Sequence, residues 1–457
     1  MHHGPFLYIL AFANFLAMIH LGFFMVGANT YDVKQFRRKY QEGHKRHGSI
    51  RRQPMVSVVI PAHNEELVII RTIESVRASD YQNFEIIVVD DGSTDRTAAI
   101  VRDYIRKHPR LRGRTMVRYN RKASGALQRR YVRGRLGGQR VVLVSQVNAG
   151  KGSAMNNAIA LHVRGELTMC LDADTLLHPQ AISRAVAYFR DRKVMGVAAN
   201  VRIMPSRNWL ITLQRFEHMV GYRSKKFYTM INSEFIIGGV ASTYRTRLIK
   251  RSGMYDTDTM TEDIGLSLKM IAKQGNKRHR IIYGSDVLAM TEGVHKFGNL
   301  LRQRYRWKMG NLQNLYKYRQ LIGNSNHKKY SRSLTTYRLP MAILSEFLLL
   351  AQPILIAYVI YLCISYHTIG ILLGAYMTLT LYVLWTVWPD EHLTTRQKFS
   401  MSFLAFGMYG LFYVMDVVQL YAAFRVIRNR HSISRRDISA TWISPLRSGQ
   451  TASFSKA

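Results

Sequence analysis

Acidic residues stand at the ends of apolar segments in this chain. The segment "FEIIVVD" (84–90) ends in Asp90 and is followed by Asp91. The segment "ELTMCLDAD" (166–174) ends with Asp172 and Asp174. On an extended chain Asp172 and Asp174 point the same way, because side-chain direction alternates with a period of two. Two convergent carboxylates suit a hard divalent cation such as Mg²⁺ or Mn²⁺, with phosphate oxygens completing its shell. The pair predicts a metal and phosphate site, and the alternative is two aspartates that cap a loop.

A second acidic pair, Glu262 and Asp263, opens a predicted amphipathic helix with Thr261 as its N-cap. The helix terminus favours the ionised form of Asp263, whereas a nearby diphosphate opposes it. A carboxylate between those two influences can serve as a general base toward an alcohol. The alternative is the ordinary enrichment of acids in the first turn of a helix.

Two further segments have residues suited to a nucleotide. Asp91 closes a predicted strand and could accept hydrogen bonds from a base or ribose, although an Asx turn with Gly92 and Ser93 explains it nearly as well. "NAGKGSAMN" (148–156) resembles a phosphate-cradling loop without the P-loop spacing. Lys151, at the start of a predicted helix, would favour a diphosphate.

The segment "RQRYRW" (302–307) combines three arginines with two aromatic residues. Gln303 and Arg306 are three positions apart and share one side of a helix. Arg306 could neutralise the charge that develops on a metal-bound nucleotide diphosphate as it leaves. Trp307 offers a flat apolar face for a sugar ring. The alternative is that the segment is only a charged, solvent-exposed side of a helix, but a tryptophan is not expected there. The segment therefore predicts a substrate contact.

These residues lie on a pattern of short apolar runs that alternate with helical periodicity. The predicted strands are 56–60, 84–90, 140–146 and 166–174, and the predicted helices are 65–78, 95–106 and 151–163. Runs that are apolar on both faces predict a mostly parallel sheet with helices on both sides. Ligands bind such sheets at the carboxyl ends of the strands. The pattern predicts an α/β domain whose acids gather at one rim.

The Gly- and Arg-rich stretch 118–140 contains no acids and is predicted to be a flexible, solvated loop. The alternative is a binding element near anionic headgroups.

The whole chain carries 66 Lys and Arg against 28 Asp and Glu, a formal charge of +38. Such a charge requires an anionic partner. Base-stacking aromatics do not alternate with the basic residues of 118–140, which argues against nucleic acid. Membrane lipids explain the excess more simply.

Four long apolar runs are predicted to be membrane segments, because about 20 apolar residues cross a bilayer. They are 5–28, 339–363, 366–388 and 399–424. Basic residues after the first run place that flank in the cytoplasm. Glu346 and Asp416 are predicted to lie at an interface or along a polar path. Three C-terminal crossings would leave the basic tail outside, so either one run is interfacial or the tail is an exception.

The predicted organisation has a membrane helix, a catalytic domain and a membrane region in that order. The segments are a transmembrane helix (1–30), a basic cytosolic linker (31–54), the α/β domain (55–320), an interfacial linker (321–338), about three transmembrane helices (339–424) and a basic tail (425–457).

Six motifs in this order resemble the inverting family-2 glycosyltransferases of the membrane polysaccharide-synthase kind. They are "PAHNEE" (61–66), "VVDDGS" (88–93), "GKGSAMN" (150–156), "DAD" (172–174), "TED" (261–263) and "QRYRW" (303–307). The resemblance covers about 55–320 and extends to cellulose, hyaluronan, chitin and poly-N-acetylglucosamine synthases. It is nearest to the poly-β-1,6-N-acetylglucosamine synthases. It implies a nucleotide-sugar-binding domain of the GT-A type.

The resemblance also implies roles for individual residues on the donor side. Ala62, Glu65 and Asp91 would contact the uridine part of a UDP-sugar. Asp172 would contact the nucleotide, and Asp174 would bind the metal, Mg²⁺ or Mn²⁺.

On the transfer side, Lys151 would lie near the diphosphate or the donor. Asp263, beside Glu262, would be the base that deprotonates the acceptor hydroxyl. The diphosphate would be engaged by Gln303 and Arg306, and the acceptor would stack on Trp307.

The implied function is processive, inverting extension of a membrane-translocated polysaccharide from a UDP-sugar, with UDP-N-acetylglucosamine as the best candidate. The implied partners are the sugar donor, the growing glycan, membrane lipids and a small membrane subunit, with no nucleic acid. The implied location is the cell membrane, multi-pass, with the catalytic domain in the cytoplasm. The alternative is transfer of one sugar to a lipid or glycolipid.

Overall fold

A computed structural model describes residues 5–44, 53–107, 115–117, 130–136, 139–367, 369–390 and 393–435. The first half contains α1 (Pro5–His44), β1 (Val56–Ala62), α2 (Ile69–Arg77), β2 (Phe84–Asp91), α3 (Thr97–Lys107), β3 (Thr115–Val117), β4 (Arg130–Leu136), β5 (Gln139–Gln146), α4 (Lys151–Leu161), β6 (Leu167–Cys170), β7 (Thr175–Leu177), α5 (Ala181–Tyr188) and β8 (Val194–Ile203). The second half contains α6 (Trp209–Met230), β9 (Ser242–Arg245), α7 (Thr246–Ser252), α8 (Glu262–Gln274), β10 (Arg280–Thr291), α9 (Phe297–Lys317), α10 (Leu339–Ser365), α11 (Ile369–Val387), α12 (Thr395–Arg428) and α13 (His431–Arg435).

The sheet has the strand order β3-β4-β5-β2-β1-β6-β9-β8-β10-β7 among the described residues. Strand β1 pairs in parallel with β2 and β6, and β2 pairs in parallel with β5. Successive side chains of β1 enter different cores, since Val58 packs in one hydrophobic cluster and Val59 in the other. The predicted α/β fold, with a mostly parallel sheet between two helical layers, is confirmed in this half.

The remaining strands make the sheet mixed. Strand β9 is antiparallel to both β6 and β8, β10 is parallel to β8, and β7 is antiparallel to β10. This arrangement brings the turn after β6 and the end of β10 to the same rim, because β7 follows that turn and pairs with Ala289–Thr291.

Part of the stretch 118–140 is a strand. Residues 130–136 form β4, which pairs antiparallel with β5 along its whole length. The prediction of a flexible loop is therefore wrong for this part. Strand β5 pairs with β2 on one edge, and its other edge offers backbone groups with which β4 pairs. Residues 118–129 and 137–138 lie outside the described residues.

Helix α1 continues past the predicted boundary at residue 30 and reaches His44. Tyr31 is buried, and its hydroxyl donates to the backbone oxygen of Tyr283 at 2.6 Å. Asp32 pairs with Lys226 of α6 at 2.6 Å. The segment predicted as a linker is thus helical as far as residue 44, because it packs on the α/β domain.

One helix among the described residues, 333–365, is long and apolar enough to cross a membrane. It comprises α10 and the π-helical turn Ser333–Arg338, whose Leu334 is buried in a domain core. That turn occupies the end of the predicted linker 321–338. The other predicted crossings stay predictions.

Helix α12 contacts the α/β domain over much of its length. Near its start Ala405 shares a cluster with Phe216 of α6, and further on Val418 packs with Leu300 of α9. Residues 429–432, just beyond its end, hydrogen-bond to α9. Helix α12 thus packs on the domain near both of its ends, and the choice between a crossing and an interfacial helix stays a prediction.

Candidate active site

A cavity of about 1010 Å³ lies at the rim where the acidic turns meet α9. Eight of the predicted site residues line it: Lys151, Asp172, Asp174, Glu262, Asp263, Gln303, Arg306 and Trp307. The other three, Ala62, Glu65 and Asp91, are buried and are not part of its lining. The structure thus brings together residues that are up to 156 positions apart in the chain.

The two aspartates of the D-x-D turn have different surroundings. Strand β6 ends at Cys170, and the carbonyl of Asp172 accepts a hydrogen bond from the amide of Thr175 at 3.1 Å. The carboxylate of Asp172 is partly exposed, whereas Asp174 is buried and accepts from the hydroxyl of Thr291 at 3.1 Å. The β10–β7 pairing therefore fixes Asp174, while Asp172 stays open to the cavity.

Asp91 shapes the loop before α4. Its carboxylate accepts from the amides of Ala149 and Gly150, at 2.9 and 2.8 Å, and from the side chain of Gln146 at 2.7 Å. Gly150 has φ +84°, a conformation that favours glycine. Asp91 thus holds the turn that precedes Lys151, and its predicted contact with uridine stays a prediction.

Lys151 joins the D-x-D turn to the start of α8. Its Nζ lies 2.7 Å from Asp172 Oδ1 and 3.4 Å from Glu262 Oε1. Burial lowers the pKa of Lys151, but the neighbouring carboxylates, Asp172 first, bring it well above its ordinary value. Lys151 is therefore a fixed positive charge among the acids of the cavity.

Asp263 lies on the first turn of α8, and its Oδ1 accepts from the amide of Ile264 at 2.8 Å. Burial and the neighbouring Glu262 raise the pKa of Asp263 to about 6, against the opposing effects of Lys151 and the Ile264 amide. Thr261 occupies the N-cap position, but its side chain makes no capping hydrogen bond, so that part of the prediction is wrong.

The Thr261 hydroxyl is instead held by α9. Asn314 Nδ2 donates to the hydroxyl at 3.0 Å and to the carbonyl of Thr261 at 2.9 Å. Gly310 allows this close contact, because a Cβ there would lie 2.5 Å from Thr261 Oγ1. The packing of α8 on α9 places Asp263 and Trp307 on one cavity.

Arg304 lies beside Trp307 and pairs with Glu217, and the sequence pattern predicts no role for either residue. The guanidinium of Arg304 is 4.4 Å from the centre of the Trp307 ring, and Glu217 of α6 pairs with Arg304 at 2.6 Å. Arg304 belongs to the segment "RQRYRW", and its spacing of three from Trp307 is a signal that could have found it. Glu217 had no comparable signal in the sequence.

The cavity continues toward the C-terminal helices. Glu346 of α10 and Gln419 of α12 line it, and Glu346 forms an ion pair with Lys308 of α9. Asp416 accepts a hydrogen bond from Gln352 at 2.8 Å. Glu346 therefore faces the cavity with its charge compensated by Lys308, and the prediction of a polar path through these helices stays a prediction.

Two family models match this chain: "Glycosyl transferase family 2" over residues 57–129 and "Glycosyl transferase family group 2" over residues 167–389. The chain belongs to glycosyltransferase family 2. The matched segments contain the acidic turns, α9 and the start of the C-terminal helices.

Among curated proteins, the chain is similar to poly-beta-1,6-N-acetyl-D-glucosamine synthases. It is 28% identical to that of Staphylococcus epidermidis over 260 residues, which is 56% of this chain and 54% of the relative. It is 27% identical to that of Staphylococcus aureus strain COL over 258 residues, 56% of this chain and 54% of the relative. The chain therefore spans about half the length of the curated relatives it matches.

Among solved structures, the chain is similar to a mannosyltransferase from Pyrobaculum calidifontis in complex with GDP-Man and Mn²⁺. The TM-score is 0.52 at 18% identity, covering 89% of this chain and 99% of the other. This similarity supports the GT-A-like fold.

Proposed function

We propose that this protein is a processive, inverting glycosyltransferase that extends a β-linked polysaccharide from a UDP-sugar, with UDP-N-acetylglucosamine as the best candidate donor. The observation that carries the proposal is the convergence on one cavity of the D-x-D turn, Asp263 and "QRYRW" (303–307), the Q-x-x-R-W segment. The similarity to poly-β-1,6-N-acetylglucosamine synthases supports the choice of sugar.

The donor diphosphate would lie between Lys151 and Arg306, both of which line the cavity. The carboxylates of Asp172 and Asp174 are hard oxygen donors on the same wall, and they fit Mg²⁺ or Mn²⁺ when phosphate oxygens supply further ligands. We assign Asp174 to the cation, which would neutralise diphosphate charge when bound. The two basic side chains stabilise the negative charge that develops on the departing UDP.

Asp263 would act as the general base. It takes the proton of the acceptor hydroxyl as that oxygen forms a bond to the anomeric carbon of the donor. The bond from the anomeric carbon to the diphosphate breaks on the opposite side, and UDP leaves. Attack from one side with departure from the other inverts the anomeric configuration. A pKa of about 6 leaves Asp263 mostly ionised at neutral pH, as a base requires.

The acceptor would stack on Trp307 and extend along the cavity toward Glu346 and Gln419. In this proposal α1, α10 and α11 cross the membrane and α12 lies at its cytosolic surface. Two C-terminal crossings return the basic tail to the side of the α/β domain, which agrees with the positive-inside tendency.

The test is incubation of membranes containing the full chain with several labelled UDP-sugars and Mn²⁺ or Mg²⁺, followed by product sizing and enzymatic digestion. Long polymer from one UDP-sugar is the expected result. Addition of a single sugar to a lipid acceptor would support the alternative of one transfer, and no incorporation from any UDP-sugar would refute both.

A further inference from the structure

Arg304 covers one face of the tryptophan in the Q-x-x-R-W segment. Its guanidinium carbon is 4.4 Å from the centre of the Trp307 ring, which is a cation–π distance. Arg304 is 3% exposed, and both residues line the cavity. An indole ring has two faces, so a guanidinium over one of them leaves a single face for a sugar.

Glu217 holds Arg304 in this place. Glu217 Oε2 lies 2.6 Å from Arg304 Nη2, and the side chain of Arg304 is 4% exposed. Burial lowers the pKa of Arg304 while Glu217 raises it, as expected for a guanidinium that depends on its carboxylate. Without Glu217 the buried charge would be uncompensated, which is strongly destabilising and would favour another side-chain position.

The next residue of α6 adds no competing charge. His218 also lines the cavity, and burial together with Arg304 lowers its pKa to about 4. It is therefore neutral at pH 7, and Glu217 is the carboxylate that pairs with Arg304.

We propose that Glu217 and Arg304 are positioning residues for the glycan acceptor: together they determine which face of Trp307 stacks on its terminal sugar. The inference rests on the proposed function, since it requires a sugar at Trp307. Glu217 acts through Arg304, and the donor-side residues Lys151 and Asp172 do not take part. Loss of the pair should therefore weaken acceptor binding and leave donor binding unchanged.

The experiment compares Glu217→Gln with the wild-type full chain in membranes, using UDP-sugar and a short oligosaccharide of the product as acceptor. We expect the KM for the acceptor to rise about tenfold, the effect of losing an oriented cation–π contact. The KM for the donor and the Kd for UDP should stay within about twofold. Glu217→Asp keeps the carboxylate and should recover part of the acceptor affinity.

Asp390→Asn is the matched control. It breaks the Arg202–Asp390 pair, whose 2.7 Å separation is close to the 2.6 Å of the proposed pair. Neither Arg202 nor Asp390 lines the cavity that contains Trp307. Its acceptor KM should equal that of the wild type. An equal acceptor effect in both variants would show that any broken ion pair produces it, and would overturn the inference.

Other outcomes also decide the matter. Unchanged acceptor KM in Glu217→Gln, or an equal rise in the donor KM, overturns the positioning role while the proposed function stands. If that variant does not fold, Arg304→Lys replaces it, because lysine keeps the charge but cannot lie flat on the ring. An unchanged acceptor KM in Arg304→Lys is again contrary to the inference. A wild-type protein that turns over no UDP-sugar refutes the proposed function, and this inference with it.

Discussion

Lys151 Nζ lies 2.7 Å from Asp172 Oδ1, and this pair joins the first turn of α4 to the D-x-D turn after β6. Glu262 Oε1 is 3.4 Å from the same nitrogen. One cation thus holds together three elements from separate parts of the chain. It also affects the proposed base, because Lys151 lowers the pKa of Asp263.

Replacing Lys151 with methionine should shift the pH dependence of the reaction. The substitution removes a positive charge that favours ionised Asp263, so the pKa of that carboxyl should rise above its value of about 6. The pH at which the rate rises should therefore be higher in the variant than in the wild type. The rate at pH 7 should fall at least tenfold. Initial rates between pH 5 and 9 would check this. A reduced rate with an unchanged pH dependence would show that Lys151 acts on the donor alone.

Asp263→Asn should abolish product formation while UDP still binds. Asparagine has a similar shape but cannot accept the acceptor proton, and the loss of a general base costs about 10²–10⁴-fold in rate. Incorporation of label measures the first effect and calorimetric titration with UDP the second. Turnover within about threefold of wild type would remove Asp263 from its assigned role.

In the wild-type protein the rate should fall as the pH drops through about 6. Burial and Glu262 raise the pKa of Asp263 to that value, so protons occupy the base at a higher pH than for a free aspartate. The carboxyl is ionised and active above this pH, and protonated and inactive below it. Comparison with UDP binding at the same pH values separates this effect from loss of the donor. A flat rate between pH 5 and 8 would contradict the prediction.

Gly310→Ala should lower activity by disturbing the contact between α9 and α8. A Cβ at position 310 would lie 2.5 Å from Thr261 Oγ1, so the helices must separate at a cost of about 1–3 kcal/mol. Alanine stabilises a helix by about 1 kcal/mol relative to glycine, so the net loss of stability should be up to about 2 kcal/mol. The melting temperature and the incorporation rate should both fall.

Gly298→Ala on the same helix is the control. No atom lies within 4 Å of a Cβ at position 298, so the substitution should leave activity and stability near wild type. Equal losses in the two variants would mean that flexibility of α9, rather than its contact with Thr261, accounts for the effect.

Metal removal should stop the reaction. Treatment of membranes with a chelator is expected to abolish incorporation, and Mn²⁺ or Mg²⁺ should restore it, because oxygen ligands on the cavity wall suit these cations. Asp174→Asn should require a higher metal concentration for the same rate. Full activity in the chelator would exclude the assignment of Asp174 to a cation.

The sequence by itself determined the parallel half of the sheet and indicated most of the candidate site residues. Strands β1, β2, β5 and β6 are short runs that are apolar on both faces, and this local property is visible without any partner. The acids follow because parallel strands place their carboxyl ends at one rim. Eight of the eleven predicted residues line one cavity, and the five on α8 and α9 reach it through the packing of these helices.

Tertiary structure decided what depends on partners distant in the chain. No periodicity could pair Glu217 with Arg304, or show that Gly310 is small because Thr261 lies against it. Strand β4 could not be recognised because its pairing comes from the edge of β5 rather than from an apolar pattern of its own. The run 399–424 is apolar enough to predict a membrane crossing. Only the hydrophobic clusters that it shares with α6 and α9 show that it packs on the α/β domain. An apolar composition predicts that a segment is buried away from water, whereas tertiary packing determines which surface the segment covers.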